Sequence, residues 1–130
     1  MKSKIWIGLA VVLGLGLLSQ QLSASQGIDV KQAQVIVSSQ DALLLDVREP
    51  SEYAVIHAPN ARLIPLGEVT SRLKEIEAYK DKPVAVICRS GRRSARAVAL
   101  LQEAGFTRVS NVQGGMQSWE QAGLEVVKQH

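Results

Sequence analysis

The chain has 130 residues, 46% of them hydrophobic and 21% charged, and this length favours one domain with at most a short appendage. Its formal net charge is +3, but two of the 15 basic residues are Lys2 and Lys4, whereas all 12 acidic residues lie after residue 25. Without the N-terminal segment the excess positive charge nearly disappears, so the composition gives no support to a nucleic-acid partner.

The first 25 residues have the layout of a secretory signal peptide. A short basic start precedes an uncharged apolar run of 14 residues over 5–18, and small or polar residues follow to Ser25. A helix that spans a bilayer needs about 20 apolar residues, so this run is short for one. We expect cleavage after Ala24 or Ser25, export to the periplasm or beyond, and a mature domain over 26–130. The alternative is an uncleaved segment that anchors the domain to the membrane.

The mature chain begins with alternating helix and strand patterns. Asp29 can cap a short helix that extends to about Val37. Residues 42–47 predict the first core strand, and Pro50 can open a helical turn over residues 51–54.

The middle of the chain continues the alternation. An extended piece over 63–66 precedes an amphipathic helix, which must end before Pro83. Residues 84–87 are apolar and mostly β-branched, which predicts a buried parallel strand. The apolar stripe of the helix consists of Val69, Leu73, Ile76 and Tyr79.

A second amphipathic helix follows the strand over 84–87. Ser94 is a favoured N-cap residue, so we expect this helix to begin at Ala95 and to end at Gly105. Residues 106–112 predict the next strand.

The C-terminal part predicts a closing helix. This helix covers residues 116–122, places Trp119 against the core and ends at Gly123, and the polar tail from Glu125 to His130 is expected to fray. The alternation of strands and helices predicts an α/β fold: a single domain with a mostly parallel central sheet and helices on both faces.

The only cysteine, Cys88, stands where the predicted strand ends and a polar loop begins. Ligands of open α/β sheets bind beyond the carboxyl ends of the strands. A tight loop before a helix can turn its N–H groups inward to bind an anion, and four arginines add positive charge. These effects lower the pKa of a thiol, so we interpret Cys88 as a nucleophile rather than a small buried hydrophobe. The arginines are Arg89, Arg92, Arg93 and Arg96.

Four segments, in the right order, resemble the rhodanese-domain sulfurtransferase family. They match the strand-and-turn signature of that family, its "GHIPGA…IPL" segment, its active-site loop and its C-terminal "GG…W" element. The resemblance covers residues 28–127, which is essentially the whole mature chain as one domain. The segments are LLLDVRE at 43–49, HAPNARLIPL at 57–66, CRSGRRS at 88–94 and GGMQSW at 114–119.

The resemblance implies a double-displacement reaction. Cys88 would take the outer sulfur of thiosulfate or a similar donor as a persulfide, and cyanide or a thiol would then remove it. Loop N–H groups would bind the terminal sulfur, arginines would bind the oxyanion, and Gly91 would supply a positive φ or a close approach. The expected substrate-binding residues are Arg89, Ser90, Gly91, Arg92, Arg93 and Ser94.

Two residues of the preceding strand end are expected to support the loop. The resemblance gives this role to Asp46 and Arg48. The alternative is that Asp46 accepts N–H bonds in its own turn while Arg48 forms a solvated pair with Glu49. We interpret His57 as a structural hydrogen-bonding residue rather than a general base.

Two positions depart from the family pattern, because Ile56 and Asn60 stand where relatives commonly have glycine. Asparagine tolerates left-handed backbone. A β-branched residue resists positive φ, so Ile56 predicts ordinary backbone or a differently built turn.

Two other functions remain as alternatives: a non-catalytic rhodanese-like binding module, and an oxyanion-handling enzyme similar to phosphatases or arsenate reductases. Binding modules often lack the cysteine, and the oxyanion enzymes would need arginine where this chain has Ser94. A thiol oxidoreductase would need a partner thiol. We therefore expect a monomer that takes a small anionic sulfur donor and a nucleophilic acceptor, with no nucleic acid, metal or cofactor, and with a membrane contact only if the N-terminal segment is uncleaved.

Overall fold

The structure, a computed structural model, describes residues 27–39 and 41–129. The segment 1–25, interpreted above as a signal peptide or anchor, lies outside the described residues. Within the described ranges, no helix is both long and apolar enough to cross a membrane.

The described residues alternate between strands and helices, as the sequence predicts. The strands are β1 Gly27–Ile28, β2 Leu43–Asp46, β3 Ile56–His57, β4 Arg62–Leu63, β5 Val84–Ile87, β6 Val109–Val112 and β7 Val127–Lys128. The α-helices are α1 Val30–Ser38, α2 Pro50–Val55, α3 Arg92–Glu103 and α4 Gly115–Gln121, and 3-10 segments cover Leu66–Glu68 and Thr70–Tyr79.

Five strands form one parallel sheet in the order β1-β6-β5-β2-β4. This confirms the predicted α/β fold. Central β2 and β5 are buried along their whole length, in keeping with their continuous apolar sequences. Because the strands are parallel, their carboxyl ends meet at one edge of the sheet, where Asp46 lies beside Ile87.

The two faces of the sheet are covered by different helices, and the alternation of β5 decides which face each side chain meets. Ala85 and Ile87 pack in a cluster with residues of α1 and α4, including Trp119. Val86 and Cys88 pack on the opposite face in a cluster with residues of α3. The sulfur of Cys88 therefore lies on the face that α3 covers.

Several predicted features of the helices are confirmed. Asp29 caps α1 and accepts from the N–H of Gln32 at 2.7 Å, and Pro50 is the first residue of α2. Trp119 is 2% exposed, and its indole N–H donates to the carbonyl of Glu125 at 2.9 Å.

The helix predicted over the stripe from Val69 to Tyr79 is wrong in type, because the chain forms 3-10 turns there. Arg72 has a φ of −117°, which interrupts a regular helix, while its side chain bonds to Glu68 and Glu75. The stripe still faces the core, with Val69 and Ile76 fully buried.

The predicted fraying of the tail is also wrong for the part that the structure describes. β7 pairs antiparallel with β3, and the N–H of Gln129 donates to the carbonyl of Val55 at 3.1 Å. The polar tail satisfies backbone groups at the end of α2, which a local sequence pattern does not reveal. The strand predicted from Phe106 begins only at Val109.

Both departures from the family pattern fit the backbone. Ile56 has a φ of −159°, which is extended, so the turn needs no positive φ there. Asn60 has a φ of 64°, the left-handed conformation that asparagine tolerates.

Candidate active site

The loop after β5 is short and contains one left-handed residue. Gly91 has a φ of 104° and forms the N-cap of α3, so the helix begins at Arg92. The predicted cap at Ser94 is therefore wrong, because Gly91 turns the chain three residues earlier. Ser94 instead lies in the first turn of α3 with its side chain buried towards the end of β5.

Two donors, one in this loop and one in the first turn of α3, face the sulfur of Cys88. The N–H of Gly91 donates to Sγ at 3.1 Å, and the hydroxyl oxygen of Ser94 lies 3.3 Å from Sγ. Burial raises the pKa of the Cys88 thiol, but hydrogen bonds from the Ser94 hydroxyl and from the N–H groups of Ser94, Gly91 and Ser90 bring this pKa below its ordinary value. Loop donors thus stabilise a thiolate in a residue that is only 1% exposed.

Asn111, in β6, holds the other side of this loop. Its Nδ2 donates to the carbonyl of Gly91 at 3.1 Å, and its Oδ1 accepts from the Ser94 hydroxyl at 2.6 Å. Asn111 was not predicted as a site residue from the sequence. Its signal was a polar residue near the carboxyl end of a predicted strand, which is a pattern too common to be assigned without the strand order.

The N-terminus of α4 closes over the backbone that follows β5. The N–H of Met116 donates to the carbonyl of Cys88 at 2.8 Å, and the N–H of Gln117 donates to that of Arg89 at 3.0 Å. Gly115 has a φ of 54°, and a Cβ there would meet the carbonyl oxygen of Cys88 and lie 2.6 Å from the carbonyl carbon of Arg89. Only glycine lets the two segments approach this closely.

The three arginines of the loop have different surroundings. Arg93 forms two bonds with the Glu52 carboxylate, at 2.7 and 2.9 Å. Arg89 and Arg92 are exposed, and within the described ranges their side chains have no ion pair or hydrogen-bond partner. Two of the arginines expected to bind substrate are thus available for an anion, whereas the third is already engaged. Ser90 is exposed beside them.

Asp46 and Arg48 form a buried pair at the end of β2. They are 0% and 3% exposed, and the guanidinium of Arg48 donates to both oxygens of Asp46, at 2.8 to 3.1 Å. Arg48 also donates to the carbonyl of Ile56 at 2.7 Å. The pair therefore fixes the end of α2, and α2 carries the Glu52 that bonds to Arg93. The Asp46 carboxylate also accepts a hydrogen bond from the backbone N–H of Arg48. The alternative role of Asp46, as an acceptor within its own turn, is therefore present together with the ion pair.

The side chain of His57 contacts Tyr53 of α2. Its Nδ1 lies 2.8 Å from the carbonyl of Tyr53, and its ring stacks on the Tyr53 ring with centroids 3.8 Å apart. This geometry agrees with the structural interpretation of His57.

A cleft of about 380 Å³ opens between α2 and α4, beside the loop. Arg89 lies at its loop end, and its walls include Glu52 and Ile56 on one side and Met116 and Glu120 on the other. The cleft therefore offers space for a small molecule next to the residue that follows Cys88.

Within residues 27–39 and 41–129, no group of three His, Cys, Asp or Glu side chains is placed to hold a metal ion.

We expect Glu52→Gln to lower the free energy of unfolding by about 0.5–1 kcal/mol at neutral pH, since the pair with Arg93 is partly exposed. The Arg93 hydrogen bond lowers the pKa of Glu52 from 4.5 to about 2 despite partial burial, which raises it. A carboxyl group whose pKa is lower in the folded state than in the unfolded state stabilises the fold at pH values above its unfolded-state pKa. The difference between wild type and variant should thus shrink as the pH falls from about 4.5 towards 2, in denaturant titrations at several pH values.

Glu77→Gln is the matched control, because Glu77 is an exposed carboxylate on the 3-10 segment. Within the described residues the Glu77 side chain forms no ion pair. Glu77→Gln should therefore change the free energy of unfolding by much less than Glu52→Gln. A Glu52→Gln penalty that stays constant down to pH 2 would contradict the role of the charged pair.

The chain is similar to several known proteins. The family model for rhodanese-like domains matches residues 29–122. The chain is 39% identical over 95 residues to a sulfurtransferase of Allochromatium vinosum, which covers 73% of this chain and 87% of that protein. It is 33% identical over 99 residues to the thiosulfate sulfurtransferase GlpE of Vibrio cholerae, covering 76% and 92% of the two chains. The crystal structure of a rhodanese-related protein from Thermoplasma volcanium superposes with a TM-score of 0.70 at 36% identity, covering 78% of this chain and 97% of that one.

Proposed function

Because the chain belongs to the rhodanese-like domain family, we propose that it is a thiosulfate sulfurtransferase that carries sulfane sulfur as a persulfide on Cys88. A relative with 33% identity is named for thiosulfate, and this supports the choice of donor. The observation that carries the proposal is the pair of donors, Gly91 N–H and the Ser94 hydroxyl, that face the buried sulfur.

In the first half-reaction the Cys88 thiolate attacks the outer sulfur of thiosulfate. A bond forms between Sγ and that sulfur, the S–S bond of thiosulfate breaks, and its electron pair leaves with sulfite. The products are sulfite and a Cys88 persulfide anion, so charge and atoms balance. Inward N–H groups of the loop and the positive end of α3 are suited to stabilise this anion.

In the second half-reaction a nucleophile such as cyanide or a thiolate attacks the terminal sulfur. The S–S bond of the persulfide breaks and its electron pair returns to Sγ, which leaves as the thiolate. The same donors that favour a thiolate in the resting protein therefore also favour this leaving group.

Arg89 and Arg92 are proposed to bind the oxyanion of the donor, since both are exposed next to the loop and have no partner among the described side chains. We expect Arg89→Ala and Arg92→Ala each to raise the KM for thiosulfate roughly tenfold, with little change in the KM for cyanide. Steady-state assays of thiocyanate formation measure both constants.

Arg108→Ala is the control for the loss of positive charge. Arg108 is exposed at the amino end of β6, so it lies at the opposite edge of the parallel sheet from Cys88. If all three variants raise the KM equally, the effect reflects net charge and not a site at the loop.

The kinetic order tests the proposed function. A persulfide intermediate requires that sulfite leave before the acceptor binds, so double-reciprocal plots for thiosulfate and cyanide should be parallel. Sulfite should also be released without an acceptor, in an amount equal to the protein. If sulfite appears only when cyanide is present, the transfer is direct and the proposed mechanism is wrong.

We also propose that residues 1–25 export the domain, because they combine a basic start, a short apolar run and small residues at the expected cleavage point. N-terminal sequencing of the protein from its native compartment tests this. A mature end at or next to residue 26 supports export with cleavage, whereas an intact Met1 in a membrane fraction supports the anchored alternative.

A further inference from the structure

The hydroxyl of Ser94 has two acceptors for its single hydrogen. Asn111 Oδ1 lies 2.6 Å from the hydroxyl oxygen, and Cys88 Sγ lies 3.3 Å from it on another side. A hydroxyl donates only one hydrogen bond but accepts two. The bond to Asn111 and a bond to a Cys88 thiolate therefore exclude each other.

The orientation of the Asn111 amide follows from its other contact. The carbonyl oxygen of Gly91 can only accept, and it lies 3.1 Å from Nδ2. The amide nitrogen must therefore face Gly91, which leaves the amide oxygen facing Ser94. Neither group of the amide can exchange its partner without loss of a bond inside this partly buried cluster.

The charge state of the sulfur decides which acceptor is preferred. A neutral thiol can donate to the Ser94 oxygen while Ser94 donates to Asn111, so that all three groups are satisfied. A thiolate has no hydrogen, and an anionic acceptor makes the stronger bond to the hydroxyl. In a persulfide the negative charge moves to the terminal sulfur, so Sγ competes only weakly with Asn111 Oδ1 for the Ser94 hydrogen.

We propose that Asn111 is a positioning residue that holds the Ser94 hydroxyl hydrogen in the thiol and persulfide states and releases it to Sγ whenever Sγ becomes a thiolate. The inference rests on the proposed function for its place in the reaction. There, Sγ is a thiolate both when it attacks the donor and when the acceptor expels it. Because the bond to Sγ forms at the cost of the bond to Asn111, the Cys88 thiolate is stabilised less than it would be by a hydroxyl without a second acceptor, and it stays more basic and therefore more nucleophilic.

Charged groups on the neighbouring elements must stay constant in any test. They lie on the loop and α3, at the end of β2, on α2 and on α4. Apart from Cys88→Ser, which removes the titrating thiol itself, none of the substitutions used below changes a charge. The groups are Arg89, Arg92, Arg93, Asp46, Arg48, Glu52 and Glu120.

Asparagine labelling tests the switch in the full chain without any substitution. The sequence contains only two asparagines, Asn60 and Asn111, so the protein labelled with ¹³C and ¹⁵N asparagine gives two side-chain carbonyl signals. We expect the Asn111 carbonyl carbon to move upfield as the pH rises through the Cys88 titration, because it loses the hydrogen bond from Ser94. This movement should be absent in Cys88→Ser, and Asn60 serves as the reference.

Substitutions give a second, independent readout. The rate of iodoacetamide alkylation against pH gives the titration midpoint of Cys88. Asn111→Ala should lower this midpoint by roughly half to one pH unit, because Ser94 then donates to the thiolate without competition. Ser94→Ala should raise it, and Asn111→Ala should have no further effect in that background. Ser110→Ala, a neutral change in the same strand, is the control.

Two results would overturn the inference. One is an Asn111 signal that stays fixed while Cys88 titrates, which would mean that the hydrogen never leaves Asn111. The other is an Asn111→Ala midpoint that rises equally with and without Ser94, which would mean that Asn111 only pins the loop. If Asn111→Ala does not fold, the wild-type signal alone decides. A thiol that does not titrate below its usual range would instead contradict the proposed function, so the two failures are distinguishable.

Discussion

Cys88→Ser is expected to reduce sulfur transfer from thiosulfate to cyanide by roughly four orders of magnitude or more, because it removes the only atom that can form the persulfide. The fold should survive. A serine oxygen fits in the same buried space and can accept the N–H of Gly91, which now donates to Sγ at 3.1 Å. Thiocyanate formation measures the loss, and a melting temperature within a few degrees of wild type shows that the loss is chemical.

Ser94→Ala is the useful companion to this variant. It keeps the nucleophile and removes one donor to it, so it should retain measurable transfer. Substantial turnover in Cys88→Ser would contradict the persulfide mechanism outright.

Gly115→Ala is expected to cause the second largest loss, about a hundredfold in kcat/KM or more. The added methyl group would press on the carbonyl groups of Cys88 and Arg89, which are backbone atoms and cannot rotate away. Relief requires α4 or the loop after β5 to move, and either movement displaces the donors around Sγ. The positive φ of 54° adds a further cost to stability of about 1–2 kcal/mol.

Gly123→Ala separates these two causes. Gly123 lies after the same helix at a φ of 72°, but a Cβ there would have nothing within 4 Å. This variant should therefore lose a similar amount of stability from the left-handed backbone and keep its activity. Equal losses of activity in both variants would show that destabilisation of α4, and not pressure on the loop, is responsible.

The sequence was most informative where a pattern is local. The apolar run 84–87 predicted a strand, and Gly91 was expected to supply either a positive φ or a close approach; the strand and the positive φ are both present. The predicted cap at Ser94 failed because serine is also the residue that a buried hydroxyl contact requires, and composition does not distinguish the two uses. The position of Cys88 at a strand end came from the same local pattern.

Contacts between distant segments could not be predicted from local sequence patterns. Glu52 and Arg93 are 41 residues apart, and Asn111 lies 17 residues after Ser94. These pairs meet because β6 and β2 both flank β5, and that strand order becomes visible only in the folded sheet. The approach of Gly115 to Cys88 has the same origin.

The intact mass of the purified protein, measured before and after thiosulfate and again after cyanide, shows whether Cys88 carries a persulfide. We predict a gain of one sulfur atom on Cys88 with thiosulfate, and complete discharge by cyanide as thiocyanate appears. An unchanged mass with a reactive, low-pKa thiol would contradict thiosulfate as the donor and favour an oxyanion-handling enzyme. An unchanged mass with an unreactive thiol would contradict catalysis altogether and favour a binding module.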